Sequence, residues 1–142
     1  MANYSAPAPH DTGSWAGENR AWLRGPHGTD DNAKVNATLD ASLFPAAVQK
    51  PEGYIVSGTV AARKTSTGYI GAYDPTGSDG LNKPVGILYN TVSIKNGIEH
   101  VFNALLVHGT VNEDELPFAS GMGSLDAAAR TALPHIIVYP AL

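Results

Sequence analysis

Regular alternation of apolar and polar positions sets in at Tyr54. "YIVSGTVAA" puts Tyr54, Val56, Gly58 and Val60 on one side and Ser57 and Thr59 on the other, the period-two pattern of a strand. "TSTG" supplies a turn and "YIGAYD" a second short strand, so a hairpin is predicted. "VGILYNTVSI" reads as a further strand, and "KNG" as the turn after it. "HVFNALLVHGTVN" breaks the alternation by being apolar on both sides, with Val101, Leu105 and Val107 opposite Phe102, Ala104 and Leu106. Such a strand is either sandwiched in a core or shared with a neighbouring subunit, and the residues leave both open. Ser124 is the predicted N-cap of one short helix, "LDAAARTAL", stopped by Pro134, and "HIIVYP" closes the pattern as a β-branched strand.

Residues 1–40 follow neither a helical nor a strand period. They are rich in Ala, Gly, Pro, Asn and Asp, and set Asp11, Glu18, Asp30, Asp31 and Asp40 against Arg20, Arg24 and Lys34. A segment with so little apolar surface does not fold by itself. Both tryptophans, Trp15 and Trp22, nevertheless lie in it, with Tyr4 and Leu23 close by. Either they fold back onto their own domain, or they anchor the segment on another protein, where tryptophan is enriched at hot spots. Pro45 and Pro51 then block any long helix in "TLDASLFPAAVQKPEG". The predicted organisation is an extended N-terminal arm and lead-in over residues 1–49 and a β-rich domain over 50–142.

The run "YDPTGSDGLNKPVGIL" has the composition of a ligand loop and fails each template for one. A calcium loop starting at Asp74 needs Gly at its sixth place and Glu at its twelfth, where Asp79 and Val85 stand. A phosphate loop needs Gly-Lys-Ser/Thr opening a helix, and Lys83 is followed by Pro84. Turn chemistry remains: Asp74 initiates, Gly77 and Gly80 supply positive φ, Asp79 bonds the backbone downstream, and Gly86 opens the next strand.

No other residues combine into a site. His10, His27, His100, His108 and His135 are scattered, with no pair at helical ligand spacing. Glu113–Glu115 reads as a solvated loop, and "SGMGSLD" lacks the pattern of a nucleophile elbow. Neither a catalytic residue nor a metal or other cofactor is predicted. Net charge is −4 without a basic block, which argues against nucleic acid. There is no cysteine, and no apolar run approaches membrane-spanning length, so a soluble protein is expected. Charged residues are only 15% of the chain, against roughly a quarter in a typical domain, which suggests that part of the surface meets other protein.

Taken in order, Ser57–Val60, Tyr73–Asp74, Asp79–Gly80, Gly86–Leu88 and Val107–Val111 resemble the head decoration proteins of tailed bacteriophages, the family of the lambda capsid-stabilising protein. The resemblance covers about residues 50 to 140. It implies a mainly β fold of the β-clip kind with one short helix, and a non-enzymatic structural protein of the virion. It further implies a homotrimer on the outer capsid surface, made in the bacterial host cytoplasm. The trimer would sit where major capsid protein hexamers and pentamers meet, at threefold and quasi-threefold positions, and cement the expanded shell against packaged DNA.

On that reading Tyr4, Trp15, Trp22 and Leu23 are candidate capsid-binding residues of the arm, and Phe102, Leu105, Leu106 and Val107 candidates for the trimer interface. Ordering the arm demands more than two tryptophans return, so main-chain hydrogen bonds to a capsid sheet edge are expected as well. Two rivals are a carbohydrate-binding or adhesion module with Trp15 and Trp22 as an exposed platform, and a small hydrolase using Glu113 or Asp114.

Overall fold

The computed structural model describes residues 20–30, 32–50 and 52–139. Its first strand lies ahead of the alternation that starts at Tyr54. In β1 (Val35–Asp40), Ala37 and Leu39 are buried while their neighbours are not, so a short and mostly polar segment still has one apolar face. β2 (Tyr54–Ile55) is followed by β3 (Val60–Arg63) and β4 (Ile70–Ala72), and these last two form the predicted hairpin. β5 (Pro84–Leu88), β6 (Val92–Ser93), β7 (His100–Leu106), β8 (Gly109–Asn112) and β9 (Ile136–Tyr139) complete the strands, with helix α1 (Ala127–Ala132) before β9.

Among the described residues, five strands close into a barrel in the order β1, β4, β3, β5, β7, with β7 returning to pair with β1. β1 and β4 run parallel; the other barrel pairs are antiparallel. β2 pairs with β6, and β8 with β9, as small separate ladders.

Two apolar clusters explain why β7 is apolar on both sides. All five barrel strands contribute to the first, through residues such as Leu39, Ile70, Ala61, Leu88 and Leu105, so it fills the interior. The second lies outside the wall, where Val60, Ile87 and Leu106 meet α1, β8 and β9. Leu105 therefore points inward and Leu106 outward, and both are fully buried within one chain. At Leu105 and Leu106 the sandwiched reading of this strand holds.

The sequence pattern differs from the structure at three further points. The continuous strand expected from Tyr54 is interrupted at Ser57–Gly58, where Gly58 adopts φ +98 and a Cβ would stand 3.0 Å from the Trp22 ring. That break is the seat of Trp22, whose Nε1–H donates to Ser57 Oγ at 3.1 Å. The helix is capped by Asp126, whose carboxylate accepts from Ala129 N–H at 2.8 Å, and not by Ser124, which is buried and donates to Gly121 C=O. The lead-in also belongs to the fold. Trp22 is 1% exposed and β1 is barrel wall, so the arm cannot extend to residue 49 as the pattern suggested. A hairpin or helix period reveals local partners only; β1 pairs with residues in β7 far along the chain, seventy positions away for Val35 with Leu105.

Candidate docking surfaces

The residues predicted to bind partners separate into buried and exposed sets. Tyr4 and Trp15 lie outside the described residues. Trp22 is core, and Leu23 bridges antiparallel to Val111 while packing on the outer cluster. Arg20 Nε–H donates to Tyr89 C=O at 2.9 Å and its Nη2 to Asn90 Oδ1 at 2.7 Å, fastening the chain where residues 1–19 meet the fold. An exposed platform containing Trp22 is therefore excluded.

In the candidate trimer set, Leu105 and Leu106 are core and Val107 is half-buried against the barrel interior. Phe102 differs sharply. It is 82% exposed on the outer wall of β7, opposite Thr38 of β1. It lies on the same side as Leu106, but α1 and β9 cover the wall only further along. Beside it is an open groove of about 600 Å³ lined by Asn36, Thr38, Arg63, Tyr69 and Phe102. Tyr69 and His100 flank the wall with ring centroids 4.3 Å apart. The sequence placed Phe102 in one set with two core leucines because alternation identifies a face, not what covers it.

The loop after β4 is built by turns. Asp74 Oδ1 accepts from both Thr76 N–H and Thr76 Oγ1 at 3.0 Å, and Gly77 N–H closes onto Asp74 C=O at 2.9 Å. Positive φ falls on Asp79 (+57) and Gly80 (+88), whereas Gly77 does not adopt it. Asp79 does not bond downstream either: its carboxylate accepts from Ser66 Oγ and its C=O from Thr65 N–H, tying the loop to the β3–β4 turn. Gly86 is required by close approach, since a Cβ there would stand 3.0 Å from Leu106 C=O. Among the described residues, no three His, Asp or Glu side chains are placed to hold a metal ion.

Three polar groupings escaped the sequence reading because their members are distant in the chain. His27, His108 and His135 gather on one exposed corner, with His108 and His135 stacked at 4.7 Å and His27 5.7 Å from His108. Glu113 forms an ion pair with Arg130 of α1, which accounts for one carboxylate of the acidic triplet. Tyr73, buried at the end of β4, donates its hydroxyl to Asp126 at 3.0 Å, so one carboxylate caps α1 and fixes the barrel to it. Burial first, then the hydrogen bond and charge of Asp126 and the charge of Asp74, push the Tyr73 hydroxyl up to about 12. Of large apolar residues, Ile137 (51%) and Tyr139 (38%) on β9 are also exposed. No described helix is long and apolar enough to cross a membrane.

No curated protein sequence matches the chain. A family model does match, over residues 21–136, that of the bacteriophage lambda head decoration protein D. The match starts one residue before Trp22 and so takes in β1, well upstream of residue 50 where the sequence resemblance was seen to begin. A match spanning the barrel, the helix and the start of β9 settles membership: the chain belongs to the family of the bacteriophage lambda head decoration protein D.

Proposed function

We propose that this protein cements the expanded phage head from outside, as a homotrimer bound to the major capsid protein at threefold and quasi-threefold positions. The family supports a role in capsid decoration, and the match over residues 21–136 carries the reading. Phe102 is the best-supported contact for the trimer. A phenylalanine 82% exposed on a rigid wall has the area and low conformational entropy of an interface anchor. The strand's other three candidates face the monomer's own core.

The capsid-binding arm in this proposal is residues 1–19, with Tyr4 and Trp15 as anchors; Trp22 and Leu23 fasten its root. Three linked arms raise one another's effective concentration, so a weak arm can serve a tight cement. The protein's work is mechanical: it adds contacts across capsomer boundaries and raises the force needed to separate them. No reaction is assigned to it.

The test is rebinding to expanded heads that lack this protein. The full chain should sediment as a trimer, coat such heads and raise their melting temperature. A variant lacking residues 1–19 should remain folded and trimeric, with its affinity for heads down at least tenfold. Equal coating by the truncated and full chains would remove the arm from the mechanism.

A further inference from the structure

β9 is an edge strand of a two-stranded ladder. The register of its parallel ladder pairs Gly109 with Ile136 and Asn112 with Tyr139. Gly109 N–H donates to His135 C=O at 3.2 Å, which sets the phase of the ladder. In a parallel pair, alternate residues direct both main-chain groups to the partner. Ile137 thus faces β8 while Val138 turns its N–H and C=O to the opposite edge. The other side of β8 obeys the same phase: Thr110 C=O accepts from Arg24 N–H, and Asn112 N–H donates to Trp22 C=O. Ile136, the other residue facing the open edge, already gives its N–H to Leu133 C=O at 3.1 Å. Among the described residues no strand lies beyond β9.

The edge strand is short but carries no protective charge. Ile-Ile-Val-Tyr contains neither charge nor proline, and Ile137 stands half exposed on its outer face. Edge strands of such high β-propensity, left uncovered, join other chains. Phe102, by contrast, offers an exposed side chain on a strand within the closed barrel wall.

Position suggests what covers the edge. Trp22 and Tyr139 both flank Asn112, one on each side of β8. The root of residues 1–19 and the end of β9 are therefore two strand spacings apart, roughly 10 Å. A capsid surface that meets the chain at the root of the arm therefore also lies within reach of β9.

We infer that the open edge of β9 receives an extended segment of the major capsid protein, hydrogen-bonded to Val138 and packed on Ile137. This rests on the decoration reading and adds a second, main-chain grip next to the arm. Strand addition of this kind draws affinity from backbone bonds and specificity from alternate side chains.

Two variants of the full chain probe it. Val138→Pro deletes the outward N–H and leaves the bonds to β8 intact, a substitution that edge strands accommodate. Ile137→Lys places a charge on an exposed position and serves should the proline variant fail to fold. Each should stay trimeric with an unchanged fold and bind expanded heads at least tenfold more weakly. Hydrogen exchange of the free and head-bound protein should reveal one newly protected amide in β9, that of Val138. Binding by both variants within twofold of the unsubstituted chain overturns the inference and leaves the decoration reading standing. So does a Val138 amide already protected in the free protein, where the chain's own copies cover the edge, or loss of the trimer in both variants. Failure of the unsubstituted chain to bind heads removes the decoration reading and this inference with it.

Discussion

Replacing Tyr73 by Phe isolates the bond that joins the barrel to the helix. The ring is 1% exposed and Phe fills the same space, so packing is preserved while the hydroxyl is lost. That hydroxyl donates to both oxygens of Asp126, at 3.0 and 3.2 Å. A hydrogen bond to a charged group contributes about 1.5–3 kcal/mol, and the lower end applies here because Asp126 is only half-buried and water can replace the donor. Near neutral pH, Tyr73→Phe should therefore lose about 1.5 kcal/mol. Alkali should reverse the order. The hydroxyl titrates near 10 when unfolded and at about 12 when folded, so below pH 10 it is protonated in both states and its full contribution is present. As pH rises from 10 towards 12 the unfolded chain gives up its proton first, and native stability falls by about 1.4 kcal/mol per pH unit. The Phe variant lacks this loss, so the two stabilities should converge near pH 11 and then cross. Urea unfolding at a fixed protein concentration, followed by tryptophan fluorescence at pH 7, 9, 10 and 11, measures the gap. A gap that stays constant from pH 7 to 11 would mean that Tyr73 ionises as readily folded as unfolded, and the account of its burial and partner would be wrong.

Trp22→Ala should cost about 3–5 kcal/mol of folding stability, read by denaturant titration, because it empties a fully buried site and removes the donor to Ser57 Oγ; a loss under 1 kcal/mol would place the indole outside the core. Phe102→Glu should shift monomer stability by no more than about 0.5 kcal/mol yet dissociate the trimer in sedimentation, and a trimer that persists would free this wall from the interface. Asp79→Asn should leave stability nearly unchanged, since Asn tolerates φ +57, and calorimetry should detect no stoichiometric calcium binding in either form; micromolar binding lost in the variant would restore a metal site.

How much of this could be read from the chain depends on the distance over which each signal acts. The β3–β4 hairpin was legible because "TSTG" and its flanking alternation are contiguous, and the structure pairs Ala61 with Ala72 as that predicts. The turn at Asn96–Gly97, both at positive φ, was legible for the same reason. The helix was found but its cap misplaced, since Ser124 and Asp126 are both good caps. The choice was made by Tyr73, which draws the Asp126 carboxylate into position from more than fifty residues away. In the Asp-Gly loop, Gly77 was assigned a positive φ on residue type alone, whereas the bond from Thr65 N–H to Asp79 C=O puts the left-handed turn at Asp79 and Gly80.

Trp22 marks where such reading stops. Its neighbours are polar, glycine or proline on most sides, so no window of sequence around it looks like a core. It becomes core only because Ser57 and Gly58 interrupt a strand to receive it and Leu106 and Val111 close round it, all from segments far along the chain. The expectation of an arm through residue 40 followed from a sound principle, that a polar segment without period does not fold alone. Residues 20–40 satisfy that principle and still fold, because they never fold alone: Trp22 and Leu23 join the outer cluster, and β1 completes the barrel between β4 and β7. The consequence for function is specific. A deletion through residue 40 would remove a barrel strand and a core tryptophan, so lost head binding would report unfolding. Only a cut ahead of Arg20 tests the proposed grip on the capsid without removing part of the fold.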